Sequence, residues 1–266
     1  MPDPLFDLSG RVAIVTGAAS GLGRAMSLAL AQYGADLAIV DRNTTGLQST
    51  AKAIAVMGRR AVPITCDVSN EDSIRSLFAQ VDGEFGRIDV LGNVAGDGIM
   101  GSRPEEISTD VVRTVMQNLV VGRFLMCQEA GKRMLAAGRG SIINIGSLAS
   151  ISALGRGHVA YSMAMGAVAQ MTRELSVEWA YRGVRVNAIL PAQVTNPNLV
   201  ERIAATPAMK DKWLSGIPLG RLGEPNDIQG LSVFLASDAS SWITGALIPM
   251  DGGNLAMNAG GTIGIP

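Results

Sequence analysis

Three glycines, placed where an apolar run gives way to a helical one, constrain this chain more than any other feature. Arg11–Thr16 reads as a buried strand, and Thr16-Gly17-Ala18-Ala19-Ser20-Gly21-Leu22-Gly23 follows it directly. A helix then runs to about Tyr33. Glycines at a strand-to-helix turn permit a tight reversal and let backbone N–H groups approach a pyrophosphate. The start of the helix adds partial positive charge at the same point. The spacing therefore predicts an α/β protein with a doubly wound parallel sheet, a Rossmann fold in three α/β/α layers.

The rest of the chain repeats that alternation. Strands are expected at Asp36–Val40, Ala61–Cys66, Ile88–Gly92, Ser141–Ile145, Val184–Leu190 and Ala246–Met250. Helices are expected through Lys52–Met57, after Ser69, from about Asp110 to Ala137, from His158 past Trp179, and over Asp227–Ala236. Ser69 with Asp72 resembles a capping box, and Thr109 is the expected cap of the long helix. The stretch 191–225, rich in Pro, Asn and Gly, holds a short helical piece around Leu199–Trp213. Within a compact domain such a segment is more often a functional lid than a linker. The expectation is one domain over residues 1–266 with a substrate lid at about 192–224.

Asp41 ends the second strand, 24 residues after Gly17. A carboxylate there can accept hydrogen bonds from adenosine ribose hydroxyls and repels a 2′-phosphate. That favours NAD(H) over NADP(H), with Arg42 as the counter-argument.

The spacing Gly-x-x-x-Gly-x-Gly, Asp67-Val68, Asn93-Val94-Ala95-Gly96, Asn118, Ile145-Gly146-Ser147, Tyr161 and Asn187-Ala188-Ile189-Leu190-Pro191-Ala192 together resemble the short-chain dehydrogenase/reductase family. So do Pro218–Pro225 and Ile243–Gly253, and the matches span nearly the whole chain. The resemblance implies that Ser147, Tyr161 and Asn118 are catalytic. It implies cofactor contacts from Gly17, Ser20, Gly21, Leu22, Gly23, Asp41, Asp67, Val68, Asn93, Ala95, Gly96, Tyr161, Pro191 and Val194. It also implies an assembly of identical subunits, a tetramer or dimer.

One residue departs from the family. Its tyrosine is followed four residues later by a lysine, and here Tyr161-Ser162-Met163-Ala164-Met165 places methionine there. The family mechanism implies that Ser147 binds the carbonyl, Tyr161 supplies the proton, the lysine favours the phenolate and Asn118 holds a relay water. A free tyrosine ionises near pH ~10. A nearby cation favours the phenolate, and a thioether does not. Neutral Tyr161 can still donate a proton in reduction, whereas oxidation is expected to accelerate toward high pH. His158, three residues before Tyr161, is a helix-start or pocket residue on one reading and part of the proton relay on another.

Composition narrows the remaining classes. The net charge of −1 lacks the basic excess of a nucleic-acid surface. No apolar run reaches the ~18 residues of a membrane span. The start Met1-Pro2-Asp3-Pro4 lacks the pattern of a secretory signal. Cys66 and Cys127 form no short-spaced pair. A cytoplasmic protein acting on a small molecule, without a metal centre, is expected. The candidate substrate loops 97–103, 148–158 and 193–213 mix apolar and polar side chains, as a sugar, polyol, keto acid or acyl thioester would require. A catalytically weak NAD(H)-binding sensor or scaffold is the alternative to an enzyme.

Overall fold

A computed structural model describes residues 4–257 other than 97, 99, 100, 156 and 206, with backbone alone at 197, 198, 202, 205 and 207–209. Seven strands form one parallel sheet in the order β3-β2-β1-β4-β5-β6-β7. They are β1 (Val12–Thr16), β2 (Asp36–Asp41), β3 (Ala61–Thr65), β4 (Val90–Asn93), β5 (Gly140–Ile145), β6 (Val184–Pro191) and β7 (Leu247–Met250). The register sets Val12 beside Asp36 and Asn93 beside Asn144. Helices cover both faces, so β1 and β4 are buried along their whole length. This is why they read as continuous apolar runs and not as an alternation.

The helices are α1 (Gly21–Gln32), α2 (Thr44–Val56), α3 (Glu71–Phe85), α4 (Thr109–Met116), α5 (Gly122–Ala137), α6 (Val159–Ala180), α7 (Pro197–Ala205), α8 (Pro207–Leu214) and α9 (Gln229–Ala236). One core packs Met26, Leu30 and Leu235 on Val15, Leu37 and Ile39. The opposite core packs Phe78, Met126 and Met134 on Ile14, Val40, Leu91 and Ile142. Strand β1 has β2 on one side and β4 on the other. The winding reverses there, and a crevice opens beyond the carboxyl ends of these strands. No described helix is long and apolar enough to cross a membrane.

Several local expectations need correction. The segment 110–137 is not one helix: a π-helical stretch, Gln117–Val121, separates α4 from α5. Helix α4 is capped by Ser108, whose side chain accepts the Val111 N–H, so Thr109 is the first helical residue. Helix α3 is capped by Asn70, which accepts the Ser73 N–H, and not by Ser69. Ser69 instead donates its N–H and its hydroxyl to Asp67. The helical piece in the 192–224 segment is two helices, α7 and α8. The segment before α9 is a 3₁₀ turn, Pro225–Ile228.

Candidate active site

Close backbone approach makes the glycine turn. Gly17 has φ of +69° and Gly21 of +51°, both in the left-handed region open to glycine. At Gly23 a methyl would stand 2.2 Å from the Gly17 carbonyl oxygen, so only glycine closes the turn onto α1. The turn is held from both sides. Ala18 donates its N–H to Val40 O at 3.1 Å, and Thr50 donates its hydroxyl to Ala18 O at 2.9 Å. Thr16, fully buried, accepts the N–H groups of Val94 and Ala95, both at 2.9 Å. One hydroxyl thus ties the tip of β1 to the loop after β4.

A cleft of about 380 Å³ opens over this turn. Gly17, Ser20, Gly21, Leu22, Gly23, Asp41, Asp67, Val68, Ala95, Gly96, Asn118 and Val194 are among the residues that line it. Asp41 accepts the Ala19 N–H at 3.2 Å and the Asn43 N–H at 2.9 Å, which fixes its carboxylate at the rim. Asp67 is held below the usual carboxylate range, first by the Ser69 N–H and then by the Ser69 hydroxyl, and stays ionised at neutral pH. A methyl at Gly122 would stand 1.9 Å from the Val68 carbonyl oxygen. The start of α5 therefore presses directly on the Asp67-Val68 segment.

The three expected catalytic residues sit on elements that pack together. Asn118 lies in the π-helical stretch. Ser147 caps the 3₁₀ turn Leu148–Ser150 and accepts the Ala149 N–H at 3.2 Å. Tyr161 lies in the first turn of α6, which packs against both of those elements. Its ring meets His158 edge-on, with centroids 6.3 Å apart and planes at 75°. A methyl at Gly98 would stand 2.5 Å from the Tyr161 ring, so the loop after β4 lies on the phenol.

Met165 is buried among Val115, Leu119, Ala149, Ala164 and Val168. Its thioether packs as core and brings no charge to the phenol. A buried cation nevertheless stands nearby, on another helix. Arg123, 3% exposed, donates from Nε to Ala95 O at 3.3 Å and from Nη2 to Val94 O at 3.3 Å. Its Nη1 donates to Ile145 O, two residues before Ser147. Sequence alone did not mark Arg123, because an arginine in an amphipathic helix ordinarily extends to solvent.

Three expected contact residues lie outside the cleft lining: Asn93, Pro191 and Tyr161. Asn93 turns its amide inward and donates to Arg123 O at 3.1 Å and Asn144 Oδ1 at 3.2 Å, so it braces the loop that follows it. Pro191 is buried at the end of β6. Of the substrate-loop positions, Asp97, Ile99, Met100 and Arg156, with the side chains of Asn198 and Met209, lie outside the described residues.

Known proteins resemble this chain in sequence and in fold. A family model described as Enoyl-(Acyl carrier protein) reductase matches residues 17–254. D-threitol dehydrogenase of Mycolicibacterium smegmatis is 41% identical over 93% of this chain and 94% of its own length. NAD-dependent glycerol dehydrogenase of Listeria innocua is 34% identical over 94% of this chain and 96% of its own. The crystal structure of a short-chain type dehydrogenase/reductase from Mycobacterium marinum superposes with a TM-score of 0.87 at 36% identity, covering 94% of this chain and 97% of that one.

Proposed function

Because the chain belongs to the short-chain dehydrogenase/reductase family and is therefore an oxidoreductase, we propose that it interconverts a secondary alcohol and a ketone with NAD(H), on a polyol or sugar. One observation carries the reading. The glycine turn, the Asp41 carboxylate and Asn118 line a single cleft, and the elements bearing Ser147 and Tyr161 pack beside it. The cradle fits a dinucleotide: its glycines leave no side chain between backbone and phosphate, and α1 starts beneath it.

Bound nicotinamide supplies the hydride acceptor or donor. The Ser147 hydroxyl accepts the Ala149 N–H, which leaves its own proton to donate to a substrate oxygen. Tyr161 gives a proton to that oxygen in reduction and takes one in oxidation. Asn118 holds the relay water. The lid over 192–224 closes on the substrate as part of one domain with the sheet. Its base is pinned where Thr195 donates its N–H to Gly223 O at 2.8 Å and Gly223 donates to Gln193 O at 2.9 Å. The similarity to D-threitol and glycerol dehydrogenases supports a polyol substrate. Exposed apolar side chains on α5 and α6, Phe124 and Met163, support a homo-oligomer.

Calorimetry with NAD and NADP, beside a polyol screen that follows NADH absorbance, tests this. NAD is expected to bind more tightly than NADP, and Asp41→Ala to shift the preference toward NADP by about tenfold or more. No uptake of either dinucleotide would refute the reading. Burial of Met165 favours a second reading, a sensor or scaffold that binds NAD(H) and turns over weakly. Met165→Lys run in the same screen separates the two. A gain of ~10²-fold or more would mean that the wild type lacks general acid–base help.

A further inference from the structure

The family position for a cation beside the tyrosine holds Met165, and a buried cation, Arg123, stands on α5. Several observations join it to Tyr161. The guanidinium lies under the loop 94–96, where a methyl at Gly96 would stand 3.3 Å from Nη2 and 2.6 Å from Leu119 Cδ2. Leu119 belongs to the apolar cluster against which Tyr161 packs. Two residues further, Gly98 lies on the phenol ring. Arg123 also grips Ile145 O, which leads into Ser147. One guanidinium thus holds the loop over the phenol and the strand end that presents the serine.

We propose that Arg123 is the cation of this active site: a positioning residue on α5 whose charge favours ionisation of the Tyr161 phenol, in place of a lysine at Met165. The assignment rests on the oxidoreductase reading for its use, and on geometry for its charge.

Burial pushes Arg123 down to about 10, and attraction to Tyr161 opposes that push, so it remains a cation at neutral pH. Other titratable groups lie on the same elements. Cys127, one turn along α5, is pushed up by burial to about 12 and stays a thiol. His158 meets the ring edge-on at the start of α6. On α4, Asp110 and Arg113 pair with each other in solvent. Arg185 of β6 spends its guanidinium on the Leu235, Ser237 and Ile243 carbonyls. Among the described residues, no ion pair joins Arg123 to a carboxylate.

The test needs no known substrate. The chain has three tyrosines, so Tyr33→Phe with Tyr181→Phe leaves Tyr161 as the one phenol to titrate by its phenolate absorbance. In that background Arg123→Met is expected to raise the titration midpoint by about one pH unit or more, and Arg123→Lys to hold it within a few tenths. Coincident midpoints for Arg123→Met and its parent, both with native circular dichroism, would overturn the proposal. Should Arg123→Met fail to fold, Arg123→Met with Met165→Lys takes its place. That pair returns one cation to the cluster and should titrate with the parent; a midpoint one unit higher would also overturn it. Once a substrate is in hand, the alkaline limb of kcat for oxidation should move by the same interval, with little change in KM. NAD calorimetry on the parent keeps the two readings apart. A parent that binds no dinucleotide removes the oxidoreductase reading, while the phenol titration still reports on the charge.

Discussion

An alanine at Gly23 would set its methyl 2.2 Å from the Gly17 oxygen and 2.8 Å from the Thr16 oxygen. Those are backbone atoms and cannot turn aside, so the turn itself must open. Gly23→Ala is expected to lower NAD affinity by at least about tenfold and to lower Tm, read by calorimetry and by thermal melting. Wild-type affinity in a folded Gly23→Ala protein would show that the cradle does not hold the pyrophosphate. At this scale the glycines, Asp41 and Asp67 were legible in sequence, because each has one backbone or charge requirement tied to local spacing. Arg123 was not legible. Its place in the first turn of α5 says nothing of the carbonyls of Val94, Ala95 and Ile145, which only the fold brings to it.

Among the elements, strands and helix centres followed from apolar period, while helix starts and the break at 117–121 did not. Ser69 and Asn70 are adjacent good caps, as are Ser108 and Thr109, and local chemistry does not choose between neighbours. Asp67 decides the first choice by capturing the Ser69 N–H and hydroxyl, which leaves Asn70 to cap α3. The π-helical stretch answers to a contact distant in sequence, the closeness of Gly122 to Val68. The segment 192–224 has its own anchor after α8, where Arg221 donates to Asp227 from both Nη1 and Nη2, at 2.7 and 2.8 Å. The Arg221 hydrogen bonds and then the Glu224 N–H hold Asp227 down to about 2. Its folded value lies below its unfolded one, so its stabilisation is present above about pH 4 and is lost as pH falls toward 2. Asp227→Asn should therefore melt below wild type at pH 7, and the two melting curves should converge near pH 2. A gap that persists at pH 2 would assign the loss to the 3₁₀ turn and not to the charge.

For the whole molecule, the strand order places the cleft at the reversal between β1 and β4. Alternating βα units made that topology readable, because a right-handed parallel crossover leaves few alternatives. The polar chain across the interior was less readable. Asn93, Asn144 and Thr172 join β4, β5 and α6 by hydrogen bonds of 3.2 and 3.1 Å. Asn144 falls within an expected strand and Asn93 just after one, and their pairing in the core follows only once the register sets them side by side.

The hydroxyl of Thr16 bears on how the two ends of a dinucleotide are bound. It fastens the strand tip at the glycine turn to the loop that runs toward the phenol. Such a ligand is bivalent, an adenylate and a nicotinamide riboside joined by a tether. The second end gains from the first only if the two receptors keep a fixed span, which sets its effective concentration. Thr16→Val, nearly equal in shape, leaves the Val94 and Ala95 N–H groups without that acceptor. ADP should then bind as before, while NAD loses much of its advantage over ADP. An undiminished ratio of the two affinities would mean that the span is kept by the surrounding strands alone.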